Sequence, residues 1–204
     1  ADRIIAGAGA DTVTALGGDN LIIGDSGESI VSDTDTTVRT LQVSVGGTDL
    51  LTTGSGDDTI LAGAFADTVH AGAGNDAVAG DHAELIVTTG EVFTSLDEAE
   101  GGDDILDLGA GDDVALGGAG ADSINALSGE NIVIGDSGVV VFDAGGFASA
   151  SSSASGVGGA DSITTGAGAD RLIGGVGADT IRGGDGDNGV LGDEGSITST
   201  AGLD

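Results

Sequence analysis

The chain has 204 residues and a formal net charge of −31, from 35 acidic and 4 basic residues. This acidity argues against binding to nucleic acid or to an anionic membrane surface, because both require basic side chains. There are 42 Gly and no Pro, Cys, Met, Trp or Tyr. Disulfides and large aromatic or thioether side chains, apart from four Phe, therefore cannot hold the fold together.

Two explanations of the acidity compete. One is a solvated, disordered chain, and the other is a folded chain whose carboxylates hold metal ions. The mean hydropathy of +0.23 favours the folded chain. No stretch of 18 apolar residues predicts a membrane-spanning helix, and the opening residues Ala-Asp-Arg show no signal-peptide pattern.

A nine-residue pattern runs along the chain in the order Gly-Gly-x-Gly-x-Asp-x-U-x, where U is a large aliphatic residue. Residues 117–125 and 174–182 show it most completely. The eighth position is a branched aliphatic residue in every unit except the one with Ala115. The sixth position is Asp or Asn in all fifteen units: Asp2, Asp11, Asn20, Asp49, Asp58, Asp67, Asp76, Asp104, Asp113, Asp122, Asn131, Asp161, Asp170, Asp179 and Asn188.

A longer period of about 56 residues separates the Gly-Asp pairs that begin at Gly24, Gly80, Gly135 and Gly192. It predicts four long repeats, at residues 1–45, 46–100, 101–157 and 158–204, each with four nonapeptides and an insert of about 20 residues. We expect the whole chain to be a single solenoid array, cut from a longer one.

The inserts, residues 24–43, 80–98 and 135–155, each contain a strand-like segment. Each is about two nonapeptides long, which predicts one further solenoid turn with a looser outer loop. Three coils per long repeat would give about eleven coils and a rod of roughly 50 Å. The serine-rich segment 149–153 is expected to be a flexible loop.

The residue types of the nonapeptide suit calcium. Gly permits the positive φ of a sharp turn, and such a turn aims main-chain carbonyls inward beside the carboxylate of the sixth position. Calcium prefers 6–8 oxygen ligands, which stacked turns can supply. The x-U-x segment then forms a short strand with the aliphatic residue pointing inward.

On these residues the chain resembles the repeats-in-toxin (RTX) family of haemolysin-type calcium-binding nonapeptides, over nearly its whole length and least at the inserts. The resemblance implies an all-β fold, a right-handed parallel β-roll or β-solenoid with two nonapeptides per coil. It also implies multiple Ca²⁺ ions held by loop carbonyls and position-six residues, most strongly Asp11, Asp58, Asp113, Asp122, Asp170 and Asp179. Our predicted metal ligands are all fifteen position-six residues and the insert aspartates Asp25, Asp81, Asp136 and Asp193.

Some turns depart from the pattern. Phe65 occupies a glycine position, so its turn is expected to be a poor site. Asn20, Asn131 and Asn188 supply an oxygen without charge, so their sites are expected to be weaker. Because stacked carboxylates repel one another, we expect the chain to be disordered without calcium and folded with it.

The ninth position alternates between polar and apolar residues from unit to unit. One outer sheet face is therefore predicted to be apolar, through Ile5, Ile23, Leu61, Leu116, Ile134, Ile173 and Leu191. Two explanations remain open: self-association through this stripe, or inserts folded back over it.

An enzymatic role is not expected. His70 and His82 are the only histidines, and a catalytic or zinc site needs several convergent ligands. The acidic pairs recur at every turn, which indicates a ladder rather than an active site.

The pattern favours a structural segment of a secreted or cell-surface bacterial protein, such as an adhesin stalk, a surface layer, a matrix or a filament. Through the resemblance we expect export by type I secretion and folding outside the cell. The alternative is an accessory domain of a secreted toxin or enzyme. Ice binding is a third hypothesis, although the outward loop positions lack a Thr or Asn ladder.

Overall fold

The computed structural model describes residues 1–32, 35–41, 44–96, 101–153 and 156–199. Every regular element in these ranges is a β-strand, so the all-β prediction is confirmed. No helix in the described part of the chain is long and apolar enough to cross a membrane.

Two parallel sheets are formed by the nonapeptides, with the strands numbered β1 to β22 in chain order. Sheet A has eight strands, in the spatial order β1 (Arg3–Ile5), β3 (Leu21–Ile23), β7 (Thr59–Leu61), β9 (Ala77–Ala79), β13 (Val114–Leu116), β15 (Ile132–Ile134), β19 (Arg171–Gly175) and β21 (Gly189–Asp193). Sheet B has seven, in the order β2 (Thr12–Ala15), β6 (Leu50–Thr53), β8 (Thr68–His70), β12 (Ile105–Ala110), β14 (Ser123–Ser128), β18 (Ser162–Ala167) and β20 (Thr180–Arg182). The chain alternates between the two sheets, so two nonapeptides complete one coil.

The aliphatic residues of the eighth position stack in the interior between sheets A and B. In sheet A, Ile22 pairs with Ile60, which pairs with Val78 in turn. All three side chains are buried in one continuous core, whose members come from both sheets. Period-two alternation places these residues inside and their neighbours outside.

The prediction that each insert forms a further solenoid turn was wrong. Sheets A and B gain two strands each per long repeat, so a repeat contributes two coils and not three. Eight strands about 4.8 Å apart give a described rod of about 34 Å, shorter than the roughly 50 Å expected.

The inserts instead build a third, antiparallel sheet, which we call sheet C. Hairpins β4–β5, β10–β11 and β16–β17 lie side by side, and β22 extends the row. The spatial order is β4 (Gly27–Val31), β5 (Thr36–Thr40), β10 (Ala83–Val87), β11 (Glu91–Ser95), β16 (Gly138–Asp143), β17 (Gly146–Ser152) and β22 (Ser196–Thr198). The expected flexible loop at 149–153 was wrong for residues 149–152, which belong to β17.

Sheet C covers the apolar outer face of sheet A. Ile23, Leu61, Leu116, Ile134 and Ile173, five members of the predicted stripe, are each at most 1% exposed. They pack into a second core together with side chains of sheet C. The stripe is therefore covered by the chain's own inserts, and these five side chains are not free for self-association. Towards the ends, Ile5 is 50% exposed and Leu191 is partly buried.

One row of residues across sheet C makes this contact. Cross-strand pairing aligns Val38 with Leu85, Leu85 with Phe93, Phe93 with Val140, and Val140 with Ala150. All five side chains are buried. Ala150 lies between serines in the sequence, and the alternation of the strand turns it towards sheet A.

The three sheets have the same repeat length. The second and third long repeats each add two strands to sheet A, two to sheet B and, as one hairpin, two to sheet C. Since strands are spaced about 4.8 Å apart in every sheet, the insert sheet stays in step with the coils. Successive inserts are also joined by hydrogen bonds from the main-chain N–H of Ala83, Gly138 and Gly195 to the hydroxyls of Thr40, Ser95 and Ser152.

Phe93 is the largest fully buried side chain, and it lies between sheets C and A. We expect Phe93→Ala to lower the free energy of unfolding by about 3–5 kcal/mol, because it leaves a cavity between the sheets. The measurement is denaturant unfolding in saturating calcium. Val92→Ala is the control, since Val92 is only half-buried on the opposite face of β11, and it should cost less than about 1 kcal/mol. Equal effects would contradict the packing of sheet C on sheet A.

Candidate metal centres

The position-six residues come together in two ladders, one at each edge of the solenoid. The insert edge contains the turns that lead from sheet A to sheet B, and all three inserts leave and return there. The short edge contains the turns that lead from sheet B to sheet A. The insert-edge ladder consists of Asp11, Asp49, Asp67, Asp104, Asp122, Asp161 and Asp179. The short-edge ladder consists of Asp2, Asn20, Asp58, Asp76, Asp113, Asn131, Asp170 and Asn188.

Neighbouring rungs are joined by the same hydrogen bond throughout. The main-chain N–H of one residue donates to the Oδ1 atom of the next rung, at 2.7–2.9 Å on the insert edge. On the short edge the corresponding distances are 2.6–3.2 Å. From the second rung of each ladder onward, one side-chain oxygen is thereby used to hold the coils together.

The second carboxylate oxygen has no such partner. In the described residues, the Oδ2 atoms of ten ladder aspartates are buried without any hydrogen-bond donor. They belong to all seven insert-edge rungs and to three short-edge rungs: Asp11, Asp49, Asp67, Asp104, Asp122, Asp161 and Asp179, with Asp58, Asp76 and Asp113. A buried acceptor without a donor is unfavourable, so each of these atoms calls for a cation or a proton.

Main-chain carbonyl oxygens lie beside these carboxylates. At Gly80, a side chain would collide with both the Oδ2 atom of Asp104 and the carbonyl oxygen of Gly117. The same pairing of a ladder Oδ2 atom with a carbonyl oxygen recurs at Gly24, Gly117, Gly135 and Gly174. Clusters of oxygens that contain no donor fit a hard cation such as Ca²⁺.

Side chains alone do not form a metal cage. Within the described ranges, no three Asp, Glu or His side chains converge on one point. A calcium ion at these turns would therefore draw most of its 6–8 oxygens from the main chain, with one or two carboxylates from the ladder.

The insert aspartates have different surroundings. Asp81 Oδ1 accepts the N–H of Gly102, at 3.1 Å, and its Oδ2 atom accepts the N–H of Ala119, at 2.6 Å. Asp136 makes the equivalent contacts with Gly159 and Val176. These carboxylates tie the start of an insert to two later turns.

The first insert aspartate, Asp25, is held less completely. Its Oδ2 atom accepts the N–H of Ala64, at 2.6 Å. Burial raises the pKa of Asp25, and the N–H of Gly47 lies close enough to offset part of that rise, without forming a well-aligned hydrogen bond to the buried Oδ1 atom. Sequence reasoning did not foresee the N–H contacts of these insert aspartates, because the donors lie about 20 to 40 residues away. Their role as calcium ligands stays a prediction.

Two predicted ligands lie outside the buried part of the ladders. Asp2 and Asp193 are both exposed. Asp2 donates its main-chain N–H to Asn20 Oδ1, at 2.9 Å, whereas Asp193 lies at the end of β21.

The two histidines lie far apart in the architecture. His82 is buried at the base of the second insert, with Nδ1 3.0 Å from Thr40 Oγ1. His70 lies on the outer face of sheet B, with Nδ1 3.6 Å from Asp107 Oδ2.

Burial raises the pKa of many ladder carboxyls. It raises the pKa of Asp104 to about 10, with repulsion from Asp81 and Asp122 adding to the shift. It raises the pKa of Asp122 to about 9 and that of Asp67 to about 8. The largest cause in each case is the loss of hydration around the carboxylate charge.

Phe65 keeps the geometry of the glycine it replaces. Its φ is 75°, the only positive φ of a non-glycine residue in the described ranges. Asp67 in the same turn still forms both ladder hydrogen bonds, each 2.7 Å, to its neighbouring rungs. The turn is therefore preserved at the cost of local backbone strain.

The chain thus belongs, by its fold and its carboxylate ladders, to the parallel β-rolls with oxygen-lined turns. The family model for the RTX calcium-binding nonapeptide repeat matches residues 1–31, 46–81, 98–115, 109–139 and 155–196. These segments cover more than half of the chain, which is therefore a member of the RTX calcium-binding repeat family. Searches of curated proteins and of solved structures gave no match.

Without metal, stability should fall as the pH rises. A carboxyl whose pKa is higher in the folded chain than its unfolded value of about 3.9 stabilises the fold at low pH. That contribution is lost as the pH rises through the folded pKa, about 6 for Asp76 and about 10 for Asp104. Metal-stripped protein should therefore show more β-structure by circular dichroism at pH about 6 than at pH about 9.

The double variant Asp104→Asn with Asp122→Asn is the control for this prediction. It removes the carboxyls of Asp104 and Asp122, whose pKa values are raised to about 10 and about 9. The β-structure of the metal-free variant should therefore depend less on pH than that of the wild type. Metal-free protein that gains structure as the pH rises would contradict the prediction.

Phe65→Asn should stabilise the protein by about 1 kcal/mol, because Asn tolerates the left-handed conformation better than Phe. Little apolar contact is lost, since Phe65 is 51% exposed. Thermal unfolding in calcium measures the effect. Leu127→Asn, at a 60% exposed strand residue without positive φ, is the matched control and should be neutral or slightly destabilising. Equal destabilisation by the two variants would refute strain at Phe65.

Proposed function

We propose that this segment is a calcium-assembled spacer in a secreted or cell-surface bacterial protein, such as an adhesin stalk, a surface layer, a matrix or a filament. The observation that carries the proposal is the set of ten buried Oδ2 atoms without donors in two ladders. Calcium binding belongs to the family, and the proposal concerns what calcium does here.

Calcium acts as a folding switch in this proposal. The ladders place carboxylates of successive coils next to one another, in a chain of net charge −31. Repulsion between like charges and the loss of hydration both oppose folding. Divalent ions at the turns supply two positive charges each and ligate the free oxygens, so binding free energy becomes folding free energy.

Such a switch suits export. RTX proteins are typically secreted by bacteria, and a chain that stays unfolded where calcium is scarce can pass through a narrow channel. It then folds where calcium is abundant. We propose type I secretion for the parent protein on this basis.

The shape suits a spacer. All three sheets lengthen together, by two strands per long repeat, so each further repeat extends the rod by about 10 Å. The inserts bury the apolar stripe of sheet A, so these side chains are not available for lateral adhesion. A spacer needs length and solubility rather than a pocket of its own.

A calcium titration followed by far-UV circular dichroism tests the switch. Metal-free protein at neutral pH should be disordered and should convert cooperatively to β-structure as calcium is added. Magnesium at the same concentrations is the control and should be much less effective, because it demands a small octahedral site. A spectrum that does not change with calcium would overturn the proposal.

Electron microscopy of calcium-loaded protein tests the role. Separate short rods, which disappear in chelator, would support a spacer whose sides do not adhere. Uniform fibres held by lateral contact would instead show a segment that assembles through its sides, which would contradict a spacer. If a toxin or an enzyme contains this segment and loses activity when it is deleted, the accessory-domain hypothesis replaces the spacer.

A further inference from the structure

The short edge differs from the insert edge in the chemistry of its rungs. Three of its rungs are asparagines, whereas every insert-edge rung is an aspartate. All seven insert-edge aspartates have a buried Oδ2 atom without a donor, but the short edge has only three.

In the asparagine rungs, the side-chain NH₂ group takes the place of the Oδ2 atom and donates hydrogen bonds to the neighbouring oxygens. Asn20 Nδ2 donates to the carbonyl oxygens of Ala15 and Gly18, at 3.1 and 2.6 Å. Asn188 Nδ2 donates in the same way to the carbonyl oxygen of Gly183, at 2.5 Å. A carbonyl that would face a cation in an aspartate turn therefore faces an N–H group here.

The amides also reach the next rung. Asn131 Nδ2 lies 2.9 Å from Asp170 Oδ1, and Asn20 Nδ2 lies 2.9 Å from Asp58 Oδ1. An aspartate in place of either asparagine would put two carboxylate oxygens at about this separation. That pair would need a cation between its oxygens, whereas the amide satisfies the same oxygen without one.

Gly183 and the insert-edge glycines give a direct comparison. At Gly24, Gly80 and Gly174 the nearest side-chain atom is the Oδ2 atom of a ladder aspartate, whereas at Gly183 it is Nδ2 of Asn188. The side-chain atom beside the glycine is thus a carboxylate oxygen in the insert-edge turns and an amide donor in the turn of Asn188.

A hydroxyl group closes one more rung of the short edge. Thr165 Oγ1 donates to Asp170 Oδ2, at 2.7 Å. Asp170 therefore has both oxygens occupied, since its Oδ1 atom accepts from Asn131.

We propose that Asn20, Asn131 and Asn188 make rungs that work without metal, with the amide group in the place of calcium, so that bound calcium is concentrated on the insert edge. This inference rests on the proposed calcium binding and adds which turns use it. The insert edge is where calcium stabilises most, because each long insert must be closed there against its loop entropy.

The test is to count calcium ions by native mass spectrometry of the full chain. Asn131→Asp should bind one more calcium than the wild type and should need a higher calcium concentration to fold. Asp122→Asn, the reverse exchange on the insert edge, should bind one fewer. Asn20→Asp is a second gain variant, in case Asn131→Asp fails to fold.

The outcomes separate this inference from the proposed function. Suppose that Asp122→Asn loses one ion while the Asn→Asp variants that fold bind the same number of ions as the wild type. An aspartate then does not turn an asparagine rung into a calcium site, and the inference fails while the proposed function stands. If the wild type binds no calcium, the proposed function fails and takes the inference with it. One ion gained per Asn→Asp exchange supports it.

Discussion

Each coil of this protein brings carboxylates to the same place as the coil before. The strand spacing of about 4.8 Å fixes how far apart neighbouring rungs lie, and from the second rung of each ladder onward one oxygen accepts the N–H of the preceding rung. In ten rungs the other oxygen is buried without a donor, and at Gly24, Gly80, Gly117, Gly135 and Gly174 such an oxygen lies beside a main-chain carbonyl oxygen. The fold is therefore stable only where a cation, a proton or a hydrogen-bond donor reaches that oxygen. The other features of the molecule follow from this requirement.

Three partners can meet the requirement, and each leaves a signature. A calcium ion meets it by ligation. An added proton meets it by neutralising a carboxyl such as Asp104, whose pKa burial raises to about 10. A neutral amide or hydroxyl group meets it by donating a hydrogen bond, as in Asn188 and Thr165. Metal dependence, pH dependence and the positions of the asparagines are thus aspects of one electrostatic problem. Phe65 shows that a turn can accept a positive φ at a non-glycine residue while its ladder hydrogen bonds are kept.

The ladders were predictable from sequence because they depend on local order. A nine-residue register fixes which residue lies at each turn, and both ladders contain the residues that the register assigned to them. Sheet C was not predicted, because Val38 and Leu85 pair across 47 positions and the strands that carry them lack the glycine punctuation of the nonapeptides. The alternation at the ninth position did show that the outer face of sheet A needed a cover, although it left the identity of the cover open. The N–H contacts of Asp81 and Asp136 depend on that same tertiary arrangement.

The ladder hydrogen bonds of all three sheets run along the rod, because the strands lie across it. A force that pulls the two ends apart therefore acts along these hydrogen bonds and breaks them one coil at a time, instead of shearing many at once. A long repeat occupies about 10 Å of rod but about 190 Å of extended chain. Under tension the segment would unfold and lengthen one coil at a time, with each calcium-bound turn resisting the next step, and it would refold when the force is released.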